Sequence, residues 1–285
     1  MTKKITVASC AGACFGVKRA LKIAQDAAQN HAKLGKADEP VCTLGPLIHN
    51  PLVVGSLEAQ GVSVAHDPNA ISEGTVILRS HGVTPELELS LKERGLTVLD
   101  ATCPFVKNEQ KDVELLLEQD YQIIIVGEPG HAEVESVAAY AQGEGHIVDS
   151  LEAAKALRLK KRVGVVVQTT QSQALLNEIV AYLLAHTAEL RVFNTICAAT
   201  SDRQAAAAKL ASEVDVMIVI GGKNSGNTRR LAEISAEHCA RVHHIEDIPE
   251  IQSSWFKPGD HIGITAGAST PVEQIEAVVA AIEAF

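Results

Sequence analysis

The chain has 285 residues, 46% hydrophobic and 21% charged, with a formal net charge of −10; that length supports one large core or two to three small ones. The negative balance, with no clustered basic face, argues against nucleic acid as a partner, and no run approaches the ~20 apolar residues of a membrane span. The N-terminus MTKKITVASC is too short and too polar for a signal peptide, so the expected compartment is the cytoplasm, where six cysteines read as metal ligands or reactive thiols sooner than as disulfides.

In chain order, residues 4–9 read as a first strand that joins a neighbouring unit. GVKRALKIAQDAAQ follows Cys14 with helical character, TVILRS is a strand before His81, and TPELELSLKERG is a helix after it. LTVLDA leads to Cys103, and FVKNEQKDVELLLEQ follows as a helix. YQIIIVG is a continuous apolar run, as in a strand buried on both faces of a parallel sheet. The loop at His131 opens the helix AEVESVAAYAQ. GHIVD is a short strand, RVGVVVQ feeds the loop at Thr169, and SQALLNEIVAYLLAH closes the unit. The last third repeats the scheme: Cys197, SDRQAAAAKLASE, VDVMIVIGG, NTRRLAEISAE, RVHHI, HIGITAG and TPVEQIEAVVAAIEAF. Ser201 with Gln204, Thr84-Pro85 and Thr270-Pro271 read as helix starts.

Strands alternating with helices imply βαβ units and parallel sheet. The three cysteines Cys14, Cys103 and Cys197 lie 89 and 94 residues apart, each in a short loop between an apolar run and a helical pattern. A second polar loop follows each at 35, 28 and 30 residues, at His49, His131 and Asn227. A third follows at 67, 66 and 72 residues, at His81, Thr169 and Ser269. This self-similarity predicts three α/β units, residues 14–100, 101–195 and 196–285, the last joined by strand 1–13. Loops at strand carboxyl ends are where ligands gather in such sheets.

Three repeat-equivalent cysteines with no CxxC pairing suggest three thiolate ligands and one open coordination position. A [4Fe–4S] cluster with its fourth iron open fits that pattern better than zinc. Cys10, four residues before Cys14, competes as a ligand but has no counterpart in the other thirds; nor have Cys42 and Cys239. His49, His81 and His131 can donate to phosphate oxygens or shuttle protons. Glu133, two residues past His131, is a candidate general acid. Ser225, Asn227 and Ser269 form a candidate anion cradle at helix starts, with Gly226 allowing close backbone approach. GGKNSG is not a P-loop, so a small phosphate or diphosphate is the expected anion.

The ordered motifs ACFGVKRA, LIHNP, SHGV, DATCPFV, GHAEVE, QTT, TICAATSDRQ, KNSGN and TAGAS, from about Cys14 to Pro271, resemble the 4-hydroxy-3-methylbut-2-enyl diphosphate reductase family. The resemblance implies three α/β units with mainly parallel sheets in a pseudo-three-fold trefoil around a central [4Fe–4S] cluster. Cys14, Cys103 and Cys197 would be its ligands. The diphosphate would be held by His49, His81, Ser225, Asn227 and Ser269, and Glu133, assisted by His131 and Thr169, would deliver protons. Thr170 is the weaker alternative to Thr169. Members of the family often carry a serine where this chain has Gly226, which leaves a backbone amide to serve there. A ferredoxin or flavodoxin is the implied electron donor. Two other classes remain: a cluster-dependent dehydratase or lyase acting without external electrons, and a non-catalytic iron or zinc sensor of a phosphorylated metabolite.

Overall fold

The computed structural model of the chain describes residues 4–33 and 39–285; residues 1–3 of the expected first strand and 34–38 of the expected first unit lie outside the described residues. In chain order the elements are β1 (Lys4–Val7), α1 (Phe15–Lys33), β2 (Val41–Leu44), α2 (Pro51–Ala59), β3 (Val62–Ala65), β4 (Thr75–Leu78), α3 (Pro85–Glu93) and β5 (Thr97–Asp100). There follow α4 (Pro104–Glu118), β6 (Gln122–Val126), α5 (Ala132–Ala139), β7 (Gly145–Val148), α6 (Leu151–Lys155), β8 (Arg162–Val167), α7 (Gln173–His186) and β9 (Glu189–Val192). The last are α8 (Ala198–Ala211), β10 (Val216–Ile220), α9 (Gly226–His238), β11 (Val242–Ile245), β12 (His261–Ala266) and α10 (Val272–Glu283).

The strands form three four-stranded sheets in the orders β3-β2-β4-β5, β7-β6-β8-β9 and β11-β10-β12-β1. Every pair is parallel, so the expected α/β class is observed. The three orders are one pattern. Its direction of winding reverses between the two central strands, the place where ligands enter open α/β sheets. The second and third polar loops of each repeat leave those central strands, and each cysteine follows the edge strand: β5, β9 or β1.

The apolar runs explain the sheets. β6 and β10 are buried at every residue. Because side chains alternate between faces, Ile123 and Ile125 of β6 pack with Val106, Val113 and Leu116 of α4. Ile124 and Val126 pack on the opposite side with Leu176, Ile179 and Leu183 of α7. A strand covered on both faces needs no polar alternation, which is why YQIIIVG reads as a continuous run.

Two compact units are distinguished. One comprises Met1–Lys18, His49–Val54 and Cys197–Phe285 and contains the β11-β10-β12-β1 sheet; the other comprises Arg19–Ile48 and Gly55–Ile196 and contains the other two sheets.

The helix starts correct the sequence reading in two places. Thr84 does cap α3, its Oγ1 accepting from the Leu87 N–H at 3.3 Å, with Pro85 as the first helical residue. Ser201 and Gln204 do not start α8; the helix begins three residues earlier with Cys197 as its cap. At the last helix Pro271 is itself the cap residue, while the Thr270 hydroxyl donates to the Ile220 carbonyl at 3.1 Å.

Candidate active site

All six cysteines are thiols, and Cys14, Cys103 and Cys197 are each partly buried. The three occupy one structural position. Each immediately precedes a helix and accepts the first helical hydrogen bond on its carbonyl: from Lys18 at 2.9 Å, Lys107 at 3.0 Å and Ser201 at 3.1 Å. Two also hook their own N–H onto the third polar loop of a repeat, Cys14 on Ala268 O at 3.1 Å and Cys103 on Ser80 O at 2.9 Å. Cys14 and Cys197 belong to one compact unit and Cys103 to the other. Among the described residues no three His, Cys, Asp or Glu side chains are grouped as a metal site.

The unit carrying Cys103 also carries the acid. Glu133 is the second residue of α5, only 3% exposed. Its Oε1 accepts the Thr169 backbone N–H at 2.7 Å, and the Thr169 hydroxyl lies 2.8 Å from Oε1 and 2.9 Å from Oε2. Because the amide fixes Oε1 as an acceptor, Oε2 is the oxygen left to carry a proton. Burial pushes this carboxyl above the usual carboxylate range, and the two hydrogen bonds from Thr169 pull part of the way back. His131 caps α5, its Nδ1 accepting from the Glu133 N–H at 3.2 Å. That bond assigns the ring proton to Nε2, which makes Nε2–H a donor. The His81 and His131 rings meet edge to face, 5.7 Å between centroids. Gly82 after His81 has φ +77°, and a Cβ there would stand 2.7 Å from Gln110 Nε2 and from Ser136 Oγ, so the turn requires glycine. Thr170 accepts from Gln168 Nε2 at 3.2 Å; Thr169 is the threonine that holds the acid.

The other unit gathers neutral polar groups. Ser225 caps α9, its Oγ accepting from Thr228 N at 3.3 Å, and Gly226 is the first helical residue. Asn227, 4% exposed, has neither amide atom hydrogen-bonded among the described residues. Ser269 Oγ donates to the His49 carbonyl at 3.1 Å, and Asn50 Nδ2 donates to Ser269 O at 2.9 Å. A Cβ on Gly222 would stand 2.5 Å from that same His49 carbonyl. His49, Asn227, Ser269 and the Cys14 backbone thus belong to adjoining loops. Lys223 is paired with Glu250.

The second polar loop needs realignment. The structurally equivalent cap positions are Asn50, whose Oδ1 accepts from Leu52 N and Val53 N, His131 and Ser225. His49 therefore precedes its cap and Asn227 follows its cap by two residues, so neither is the counterpart of His131. Two residues escaped the sequence reading. Arg203, 6% exposed, donates to Ala199 O at 2.7 Å and Gly12 O at 2.6 Å, tying α8 to the Cys14 loop. Glu109 of α4 is fully buried. Both look like surface charges in a helical pattern, and nothing local marks them otherwise.

A family model described as LytB protein matches residues 5–283. The chain is 49% identical to the 4-hydroxy-3-methylbut-2-enyl diphosphate reductase of Geobacter sulfurreducens, over 99% of this chain and 98% of that one. It is 45% identical to the protein of that name from Aquifex aeolicus, over 98% and 96%. Among solved structures it matches that of (E)-4-hydroxy-3-methyl-but-2-enyl diphosphate reductase, the terminal enzyme of the non-mevalonate pathway, at 44% identity and TM-score 0.70, with 100% of both chains covered. It matches the reductase from Plasmodium falciparum at 27% identity and TM-score 0.90, over 98% of this chain and 88% of that one. The chain belongs to the LytB family, whose matched members carry the name 4-hydroxy-3-methylbut-2-enyl diphosphate reductase.

Proposed function

We propose that the chain reduces 4-hydroxy-3-methylbut-2-enyl diphosphate to isopentenyl and dimethylallyl diphosphate, the last step of the methylerythritol phosphate route to isoprenoids. The full-length match to reductases of that name supports the reading. The observation that carries it is the buried carboxyl of Glu133, held by Thr169 and capped by His131.

The donor set suits an iron–sulfur group. Three thiols sit at equivalent helix starts, where backbone N–H groups point outward. Cys14 Sγ accepts the Val17 N–H at 3.5 Å, and Cys197 Sγ lies 3.1 Å from Thr200 Oγ1. Hydrogen bonds to sulfur are among the features that tune iron–sulfur groups. Cys14, Cys103 and Cys197 would hold a [4Fe–4S] cluster, with three α/β units arranged as a trefoil about it. When bound, it would supply electrons singly and an open Lewis-acidic iron for the substrate hydroxyl.

The rest falls to side chains. Removing a hydroxyl as water and putting hydrogen on carbon consumes two electrons and two protons. Glu133 Oε2–H supplies a proton to the departing hydroxyl, either directly or through Thr169 Oγ, which lies within hydrogen-bond reach. The Thr169 N–H stays on Oε1 and stabilises the carboxylate left behind. His131 Nε2–H and His81 donate to the bound anion beside the acid. His49, Ser225, the Gly226 amide, Asn227 and Ser269 hold the diphosphate. For this the Ser269 hydroxyl must turn from the His49 carbonyl towards a phosphate oxygen.

Electrons come from a ferredoxin or flavodoxin in the cytoplasm. No described helix is long and apolar enough to cross a membrane. The test is Glu133→Gln: it keeps iron content and substrate binding and loses most turnover. Near-normal turnover removes Glu133 from the proton path. Product formation without any reductant would favour a dehydratase or lyase instead.

A further inference from the structure

The second buried carboxyl in this unit has no place in the scheme above. Glu109 lies in the middle of α4, the helix that starts at Cys103, and its relative exposure is 0%. Neither of its oxygens has a hydrogen-bond partner among the described residues. Its neighbours on the buried face of α4 are Val106, Gln110, Val113 and Leu116. Gln110 bridges directly to α5, its Nε2 donating to Ser136 Oγ at 3.0 Å, one turn beyond Glu133. The two buried carboxyls therefore stand on helices that pack against each other.

The charges reaching Glu109 are both negative: Glu133 across the helix pair and Asp112 on its own helix. Besides α5, the elements most extensively packed on α4 are β6 and β8. β6 carries no charged residue, and Arg162 at the start of β8 is paired with Glu189. Burial first, then the Glu133 charge, raises Glu109 well above the ordinary carboxylate range, which favours its protonated, neutral form. A buried polar group with no partner costs stability that a leucine or methionine would not. Positions that cost stability without a packing return are characteristic of functional sites.

We propose that Glu109 is a positioning residue holding the proton that reloads Glu133, and hence the second proton of each turnover. The proposal rests on Glu133 as the proton donor. Once Glu133 has given its proton to the hydroxyl, the Glu109 O–H bond breaks and its proton passes to the Glu133 carboxylate. Glu109 is left ionised and Glu133 neutral. The pair then carries a single negative charge, as two close buried carboxyls require. Glu109 recovers a proton from water before the next substrate, and the electrons come from the reductant already invoked.

The test compares holoenzyme variants Glu109→Gln, Glu109→Leu and Glu133→Gln. Infrared spectra at neutral pH should show the carbonyl band of a buried protonated carboxylic acid, downshifted in D₂O. It should persist in Glu133→Gln, where Glu109 alone supplies it, and be weaker in Glu109→Gln than in wild type, where both buried acids contribute. Turnover of both Glu109 variants should fall about tenfold with KM unchanged and a larger solvent isotope effect, less than the loss typical of a direct general acid. Tm should stay the same or rise. A band of wild-type intensity in Glu109→Gln, or none in Glu133→Gln, overturns the proposal, as does wild-type turnover in Glu109→Gln. So does a fall in Tm with kcat and the isotope effect unchanged, which marks a structural residue. Normal turnover in Glu133→Gln would sink the acid assignment itself, whereas normal turnover in Glu109→Gln sinks only the reserve.

Discussion

Thr169→Val isolates the hydroxyl that grips the acid. The substitution keeps the backbone N–H that donates to Glu133 Oε1 at 2.7 Å and removes only the Oγ within 2.8–2.9 Å of both carboxylate oxygens. One hydrogen bond to a charged group contributes about 1.5–3 kcal/mol. That hydroxyl pulls the acid's titration down against burial, so its loss moves Glu133 further up. An acid that releases its proton less readily lowers kcat about 10- to 100-fold if proton delivery limits turnover. KM should move little, because the Thr169 hydroxyl is not among the groups that hold the diphosphate. The change also has a stability signature. A carboxyl raised in the folded state contributes stability that is fully present below its unfolded value, about 4.3, and fades as pH rises through the folded value. The penalty of Thr169→Val should therefore be absent at acid pH and appear as the solution becomes neutral. Steady-state kinetics with an excess of chemical reductant and denaturation across pH measure the two effects. Thr169→Ser, which keeps the hydroxyl, should behave as wild type. A Thr169→Val enzyme with unchanged kcat at every pH would refute the role given to this contact.

The loops make two further expectations. Arg203→Met removes the donors to Ala199 O and Gly12 O and should cost about 2–4 kcal/mol, since buried charge-assisted bonds are among the stronger ones. The melting temperature and iron content of the same preparation read it, and iron should be lost more readily as the Cys14 loop loosens. Gly222→Ala places a Cβ 2.5 Å from the His49 carbonyl and forces that strand-end loop apart, at a cost of about 1–3 kcal/mol. Here KM should rise while iron content holds; an unchanged KM would separate His49 from substrate binding.

Much of this was legible locally. The continuous apolar runs at Gln122–Val126 and Val216–Ile220 are strands buried on both faces, and their length and composition say so without tertiary information. All nine polar loops follow strands, as the alternation implies. What the sequence hid depends on distant partners. Arg203 sits in SDRQAAAA, where it reads as solvated, but it bonds to Gly12, 191 residues away. Glu109 reads as one polar position among many in an amphipathic helix, yet it lies on the face covered by β6, β8 and α5. The α8 start is not legible because cysteine is not a usual cap. The Cys197 Sγ makes no cap hydrogen bond, and serine and glutamine one turn on mimic a start signal. In the second loop, His49 is the residue with evident chemistry, whereas the cap is its neighbour Asn50.

Under the proposed function, Cys14, Cys103 and Cys197 together would bind a single iron–sulfur cluster. Iron content and Mössbauer spectra of anaerobically purified protein test it most directly, for wild type and for each of the six single Cys→Ser variants. About four irons per chain are expected in wild type and in the Cys10, Cys42 and Cys239 variants. Iron content and visible absorbance should collapse in the other three. Full iron occupancy in Cys103→Ser, or its loss in Cys10→Ser with Cys14→Ser intact, would contradict it.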